Sequence, residues 1–496
     1  MELLTSLTTL IAPDPNFGVI IQDCDISDNG EYGVLAYGGG SHQLLGNTIE
    51  GHEWDGVRIA DKSGFNLLTG NHSAGVWLEP GGLGNTIGVD AEGNTINYND
   101  ADGIHADIGD LDGNALGLTI TDNTLDSNGG NGIALVTDTT LTANPNYGTT
   151  VSFNEIDWNT LDGMLVDGGG SHQVANNMIS DNKADGIHLD NLAGFNTIAT
   201  DTITTNGGDG IGIAASGSGN SILGVVSSAN TGDGIHVGIV DLGGYPLALT
   251  VDNSTIEENN GDGLDLRAVG ITLDGPSPNF AASVTGNIVS ANEGDGVRAT
   301  GGVHVLAGNT VTQNWGDGVR LDGSSFNALG AGNWVHLNLG AGLDILGGYG
   351  NTSRQTEYAG NGGLGIAGSG APAPVLTEAH LLYPPDSIRI TGHLDAAANA
   401  SYVIELFGNE EPDPSGYGEG ELYLGSVTVT TDASGHAAFD VTLSSPANPA
   451  VLDNIAATAT RVGAADPRDN QTSGFSNSTC PIIDPPPGPD GGGGTP

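Results

Sequence analysis

The chain has 496 residues, with 83 Gly, only 5% aromatic residues, and 60 acidic against 10 basic side chains, for a formal net charge of -50. That balance excludes nucleic acid as a partner, because affinity there rests on Lys and Arg at phosphates, and it disfavours an anionic membrane surface for the same reason. No apolar run approaches the length that spans a bilayer, so no transmembrane segment is expected, and two cysteines, Cys24 and Cys480, cannot make a disulfide framework.

Residues 1–12 lack a basic leader with a cleavage site and read as an N-terminal cap or a truncated coil. From 13 to 370 one phrase recurs fourteen times: Asn, three residues, Gly, then an apolar residue that is usually branched, often with Asp just before the Gly. Asn29…Gly33-Val34, Asn71…Gly75-Val76, Asn159…Gly163-Met164 and Asn314…Gly318-Val319 are examples, and one copy places His52 where the others have Asn. The Gly-to-Gly spacing of 19 to 33 residues is that of a solenoid. After each Gly comes apolar-x-apolar, as in Ile187-His188-Leu189, and before the Asn comes Asn-x-apolar, as in Asn47-Thr48-Ile49. Period-two alternation points the apolar pair inward and the middle residue outward. The Asp-Gly step predicts a turn in which Gly takes positive φ and Asp accepts local hydrogen bonds. The Asn column predicts a ladder of amides running from coil to coil. Cys24, in a strand-like run, is expected to be buried packing.

A longer period overlies this one. Gly38-Gly39-Gly40-Ser41-His42 recurs as Gly168-Gly169-Gly170-Ser171-His172, offset by 130 residues, and Phe65-Asn66 recurs as Phe195-Asn196 and Phe326-Asn327. Asp110-Leu111 likewise recurs as Asp241-Leu242, so a block of five coils is present nearly three times. The registered repeats over 13–370 resemble the right-handed parallel β-helix of the pectin-lyase-like superfamily. The resemblance implies an all-β fold of about 14 coils; it does not by itself imply one activity.

After the linker Ala371-Pro372-Ala373-Pro374 the pattern changes to alternating strands at Ser387 to Leu394, Tyr402 to Phe407, Leu422 to Thr431, Ala437 to Leu443 and Ile455 to Arg461. These predict a small antiparallel, Ig-like β-sandwich over 371–479, followed by a Pro/Gly-rich tail or linker at 480–496. The segment from Tyr402 to Asn409, with Asp413-Pro414-Ser415-Gly416, looks like a module that follows β-helices in large bacterial surface proteins. That resemblance implies an extracellular or cell-surface protein.

The outward residue after the apolar one gives a second column: Leu35, Arg58, Trp77, His105, Ala134, Leu165, His188, Gly212, His236, Asp265, Arg298, Arg320 and Asp344. The helix region holds only seven Lys and Arg, and three of them fall in this column with three His. Arg58, Trp77, His105, His236, Asp265, Arg298, Arg320 and Asp344 are therefore candidates for binding a polysaccharide or cell-surface glycan. Arg clamps carboxylates, Trp stacks on sugar faces, and a coil rise of about 4.8 Å is close to one sugar unit. The competing expectation is a structural ladder in which Asp265 pairs with Arg298 and Arg320 with Asp344 across strands.

Strand periodicity also sets Asp167 against Asp190 on neighbouring coils, with His188 beside them. Two carboxylates about 5 Å apart suit a retaining glycosidase or a cation such as Ca²⁺, so His188, Asp167 and Asp190 are the catalytic candidates and Asp167 and Asp190 the calcium ligands. Turn capping by both Asp residues is the alternative. Signatures of enzymes on this fold are missing. Asp-Pro dipeptides, as at Asp466-Pro467 and Asp484-Pro485, are never followed by His-Glu as in alginate epimerases. The polygalacturonase motifs are also absent, and Gly51-His52-Glu53 fails at its third residue. The helix has only Lys62 and Lys183 as lysines. The reading that follows is an exported, non-catalytic β-helix presenting a long sheet to glycans. The alternative is a lyase or hydrolase acting on acidic polysaccharide.

Overall fold

The computed structural model describes residues 2–9, 18–60, 63–64, 66–69, 72–73, 75–89, 93–109, 116–137, 148–215, 217–242, 246–268, 275–382, 387–410, 417–444 and 452–483. Lys62, Phe65, Asn71, Asp110, Leu111, Asp413 to Gly416, residues 10–12 and the tail from 484 onward lie outside the described residues. The protein is a right-handed parallel β-helix followed by a small antiparallel β-sandwich. By compactness the chain divides into two units, 1–269 with 278–283, and 284–496 with 270–277.

In the first unit each coil supplies short strands to three parallel sheets. The first sheet runs through Val34–Gly39, Val57–Ala60, Val76–Leu78 and Ile104–Ile108 and on to Met164–Asp167, Ile187–Asp190 and Leu264–Arg267. Its inward column of Val34, Val57, Val76, Ile104, Ile133, Met164 and Ile187 is in exact register and at most 2% exposed. Burying such a side chain stabilises by about 1.5–3 kcal/mol. Leu44, Leu68, Ile87 and Ile120 play the same part in the second sheet, and Ile49, Ile96, Leu125 and Ile156 in the third.

Three polar ladders turn the corners between these sheets, where one was expected. In the ladder of the repeated phrase, the backbone N–H and side-chain Nδ2 of Asn159 both donate to Oδ1 of Asn182, at 3.0 and 2.9 Å, and Asn182 does the same to Asn206. Each Nδ2 also reaches a carbonyl of the preceding coil, as Asn159 does to Leu125 at 3.1 Å. A second ladder links Asn94, Asn123, Asn154, Asn177 and Asp201. A third begins each five-coil block with a buried His: His172 then Asn196 then Asn220, and His42 then Asn66 then Asn85. Each interior amide of these ladders, such as Asn123, Asn182 and Asn196, therefore both donates and accepts, which is why Asn is repeated here.

The repeated Gly has a different reason from the one expected. Gly163 does not take positive φ; a Cβ there would lie 2.6 Å from the Gly186 carbonyl and 2.8 Å from Asn182 Nδ2. Close approach of successive coils excludes a side chain. The left-handed conformation falls instead on the residue before the ladder Asn, as at Trp158 (φ 54), Asp181 (φ 56) and Thr205 (φ 57). Cys24 is also corrected: it is exposed, because it occupies the turn before Asp25–Ser27. Its N–H donates to Asn47 Oδ1 and its Sγ to the Gln22 carbonyl.

The second unit holds further coils and the sandwich. Its Asn ladder runs Asn292, Asn314, Asn338, Asn361. The sandwich packs a sheet of Val375–Leu382, Ser387–Asp395, His436–Ser444 and Ile482–Ile483 against one of Ser401–Asn409, Leu422–Thr430 and Asn454–Val462. Leu376, Ile388, Ile390, Tyr402, Ile404, Leu406, Phe439 and Ile455 are among its core. The last coils dock on it: fully buried Glu405 accepts from Arg354 Nε at 3.3 Å and from the Gln355 N–H at 3.1 Å, and Tyr358 exchanges backbone hydrogen bonds with Gly420. Burial pushes the Glu405 carboxyl up even with those donors in place.

Candidate functional site

The outward column of the first sheet is continuous in register. In the first unit Leu35, Arg58, Trp77, His105, Ala134, Leu165, His188, Gly212, His236 and Asp265 stand side by side. In the second, Arg298, Arg320 and Asp344 do so.

Its basic groups are already engaged. Arg58 lies over the rings of Tyr32 and Trp77 and bonds Glu79 at 2.7 Å and Asp55 at 3.1 Å. Trp77 stacks on His105 with centroids 4.2 Å apart, and its Nε1 donates to Asp107. His105 contacts Asp102 at 2.9 Å and Asp107 at 3.2 Å. His236 lies 3.2 Å from Asp233 and 3.4 Å from Asp265. Asp265 itself is fully buried, facing His236 and Arg267 rather than solvent. Arg298 is 3.8 Å from Asp322. The expected Arg320–Asp344 pair does not form; Arg320 stands 3.7 Å from Asp317 and 3.9 Å from Asp295 instead. Burial, then repulsion from Asp317, pushes the Asp344 carboxyl up.

The Asp before each Gly explains this engagement. One oxygen accepts the next coil's amide: Asp185 Oδ1 from Asp209 N–H, Asp209 from Asp233, and Asp233 from Asp262, each at 2.7 Å. The other oxygen turns outward to the base three residues on, as Asp185 Oδ2 does to His188 Nδ1 at 2.7 Å. The sequence signal was present: Asp-Gly-apolar-His/Arg occurs at 55–58, 102–105, 185–188, 233–236, 295–298 and 317–320. Hydrogen bonding to Asp185 raises the pKa of His188, and bonds to Asp233 and then Asp265 push His236 up to about 10. Burial lowers His105, but its bonds to Asp102 and Asp107 outweigh that and its pKa is raised. Burial also raises the carboxyl of Asp162, and that of Asp209 to about 6, although each accepts an amide.

Asp167 and Asp190 are register partners, as the periodicity predicts. His188 does not complete a hydrogen-bonded triad with them, since its Nδ1 is held by Asp185. Asn191 occupies both carboxylates: its side chain bonds Asp167, and its N–H donates to Asp190 at 2.7 Å. Among the described residues, side chains whose ligand atoms all lie within 4.8 Å of one another gather at Asp162, Asp185 and His188, at Asp209, Asp233 and His236, and at Asp233, Asp262 and Asp265.

The sequence matches the right handed beta helix region family over residues 11–147, 111–268 and 248–378, most of the chain. The chain belongs to the right-handed β-helix family. No curated protein matches it. Solved structures similar to this β-helix protein include the Azotobacter vinelandii mannuronan C-5 epimerase AlgE6 A-module, with 15% identity and TM-score 0.42 over 71% of this chain and 90% of that one. The periplasmic alginate epimerase AlgG has 13% identity and TM-score 0.32 over 62% and 74%. The tailspike protein gp49 of Acinetobacter baumannii bacteriophage Fri1, a capsular polysaccharide depolymerase, has 11% identity and TM-score 0.27 over 93% and 78%.

Two concavities of this β-helix protein differ in chemistry. One of about 460 Å³ in the second unit is lined, among the described residues, by Tyr417, Phe475 and mostly small residues, with no carboxylate, imidazole or base among them. The other, about 290 Å³ in the first unit, opens among the turns beside the outward sheet, where Trp54 and Tyr98 meet Glu53, Asp55, Asp100 and Asp102. Sequence reasoning did not find it.

Proposed function

We propose that the protein is an exported, non-catalytic β-helix that binds glycans along its outward sheet and the adjoining turns at the cell surface. The observation that carries this reading is the engagement of the outward bases. Arg58, His105, His188, His236, Arg298 and Arg320 each have a carboxylate of their own or a nearby coil within 4.0 Å. An Arg already neutralised in this way is poorly placed for proton abstraction, while the half-exposed faces of Arg58, Trp77, His105, His236, Arg298, Arg320 and Asp344 remain a surface for contact. Glycan-array binding together with an absorbance assay for unsaturated uronates tests it. Binding without turnover is expected. Retention of full array binding by the double variant Arg298→Ala, Arg320→Ala would count against the sheet face as the contact surface.

A second reading, hydrolysis or elimination on acidic polysaccharide, is favoured by one observation: the Asp185–His188 pair stands beside the facing carboxylates Asp167 and Asp190. Turnover that disappears in His188→Ala and Asp190→Asn would establish it. The proposal also includes Ca²⁺, with Asp167 and Asp190 as oxygen ligands. Excess chelator is then expected to lower the melting temperature by a few degrees, and an unchanged melting curve removes the cation.

A further inference from the structure

The cleft at Trp54 and Tyr98 has the chemistry of a sugar site but the wrong charge for an acidic sugar. Its two aromatic side chains come from turns 44 residues apart in sequence and are 55% and 75% exposed. The coil between them contributes Gly75, so no side chain of that residue fills the notch. Tyr98 takes φ 56, a left-handed conformation that an aromatic residue adopts at a cost. Equivalent turns elsewhere use Ser127, Asp181, Thr205 and Ala229, and also Trp158 and Leu337. The conformation belongs to the repeat; what sets Tyr98 apart is that its exposed ring and that of Trp54 both line one cleft.

Four carboxylates, Glu53, Asp55, Asp100 and Asp102, dominate the polar lining among the described residues. Glu53 and Asp100 make no side-chain hydrogen bond or ion pair among the described residues. Asp55 and Asp102 each turn one oxygen toward Arg58 and His105. Among the described residues no Lys or Arg lines the cleft, and His52, which does, has its pKa lowered by burial. Carboxylates accept hydroxyl hydrogen bonds strongly, and aromatic faces cover the C–H face of a pyranose. A uronate would instead place its charge among four carboxylates.

We propose that this cleft binds one or two uncharged sugar residues of a polysaccharide, held between Trp54 and Tyr98 and hydrogen-bonded through hydroxyls to Glu53 and Asp100. The inference rests on the glycan-binding reading and narrows it to neutral sugars at a site beside the sheet.

The test is calorimetry and tryptophan fluorescence at neutral pH with neutral glucan, mannan and galactan oligosaccharides and with oligogalacturonate and oligomannuronate. Wild type is expected to bind at least one neutral oligosaccharide more than 10-fold more tightly than either uronate. Trp54→Ala and Tyr98→Ala should each weaken that binding about 10-fold or more, and Glu53→Gln with Asp100→Asn should weaken it as well. Tyr98→Phe, which keeps the ring, should retain it. Trp158→Ala, an exposed aromatic outside the cleft, should leave it unchanged, and equal melting temperatures confirm that the variants fold. Tighter binding of uronates overturns the inference. So does neutral binding that survives both aromatic substitutions, which leaves the glycan-binding reading standing. Absence of binding to any glycan on a broad array removes that reading and the inference together.

Discussion

The inner Asn ladder and the outer Asp edge climb the same coils with the same rung spacing, yet they do opposite things with their side chains. An Asn rung such as Asn182 is closed: its Oδ1 accepts two N–H groups, and its Nδ2 donates to the next rung and to the Ile156 carbonyl. An Asp rung such as Asp185 is open: one oxygen accepts the next coil's amide and the other faces His188. The amide completes itself within the ladder. The carboxylate has an oxygen left over, and at Asp55, Asp102, Asp185 and Asp233 that oxygen faces the base three residues on. The inner column therefore holds coils together, while the outer one sets the charge of the exposed surface.

Breaking an inner rung should have the largest effect. In Asn182→Ala, Asn159 loses the acceptor for its N–H and its Nδ2, and the substitution leaves a void in a fully packed corner. With about 1–3 kcal/mol for each orphaned buried group, the loss is expected to be on the order of 4 kcal/mol, read as a lower denaturant midpoint. A shift no larger than that of an outer-edge substitution would abolish the distinction between the two columns.

The His rungs test the same ladder by pH. His172 is fully buried, its Nδ1 accepts the Thr149 N–H at 3.2 Å, and its Nε2 has no hydrogen-bond partner among the described residues. Burial lowers its pKa to about 4, and does the same for His304. Above the unfolded value of about 6.5 both states are neutral. As pH falls from there to about 4 the unfolded chain takes up protons that the native rung excludes, so stability is lost across that window, by about 3 kcal/mol per His at its lower end. His172→Asn keeps an acceptor for Thr149 without the ionisable ring. Its acid-unfolding midpoint is expected to move down in pH; a curve identical to wild type would show that the rung does not control acid stability.

Asp201 crosses the two regions, because it is an Asp standing in an Asn ladder. It is 1% exposed; one oxygen accepts from Asn177 at 2.8 Å and the other has no hydrogen-bond partner among the described residues. Burial raises its pKa to about 6. Between the unfolded value near 3.9 and about 6 the native state holds a proton that the unfolded state has released, so this group's contribution falls as pH rises through that window. Asp201→Asn is expected to raise stability at pH 7 by about 1–3 kcal/mol, with the gain shrinking below pH 4. A variant equally stable or less stable at pH 7 would mean that the carboxyl is needed where it stands.

Much of this was legible because the repeat imposes register. Once coils are aligned on Gly33, Gly163 and Gly318, the outward column and the Asp167–Asp190 opposition follow from period two alone. The reason for the Gly was not legible, since the approach of Gly163 to the Gly186 carbonyl depends on how successive coils stack. The repeated Gly-Ser-His was visible as a duplication, but nothing local says that His42 and His172 replace an Asn in a third ladder. Direction is the other loss. Spacing places His188 beside Asp190, whereas the turn at Asp185 aims its carboxylate at the imidazole from the opposite side. The cleft was hidden for a simpler reason: Trp54 and Tyr98 occupy different positions of the repeat on different coils, so no single column contains both.

The outer edge should answer mutation through charge more than through stability. Asp233→Asn keeps an Oδ1 that can accept the Asp262 N–H, so the coil-to-coil bond survives, while the charge facing His236 is lost. The present pair raises the His236 pKa to about 10, so its stabilisation is complete below about 6.5 and is lost as pH rises through about 10. Because the imidazole is part exposed and Asp265 remains 3.4 Å away, the variant should lose only about 1 kcal/mol at neutral pH. The clearer readout is the His236 ring-proton titration by NMR, whose midpoint should fall well below that of wild type. A midpoint still near 10 would assign the imidazolium to Asp265 alone, and the Asp edge would then be a backbone ladder whose outward oxygens do not set the charge of the sheet face.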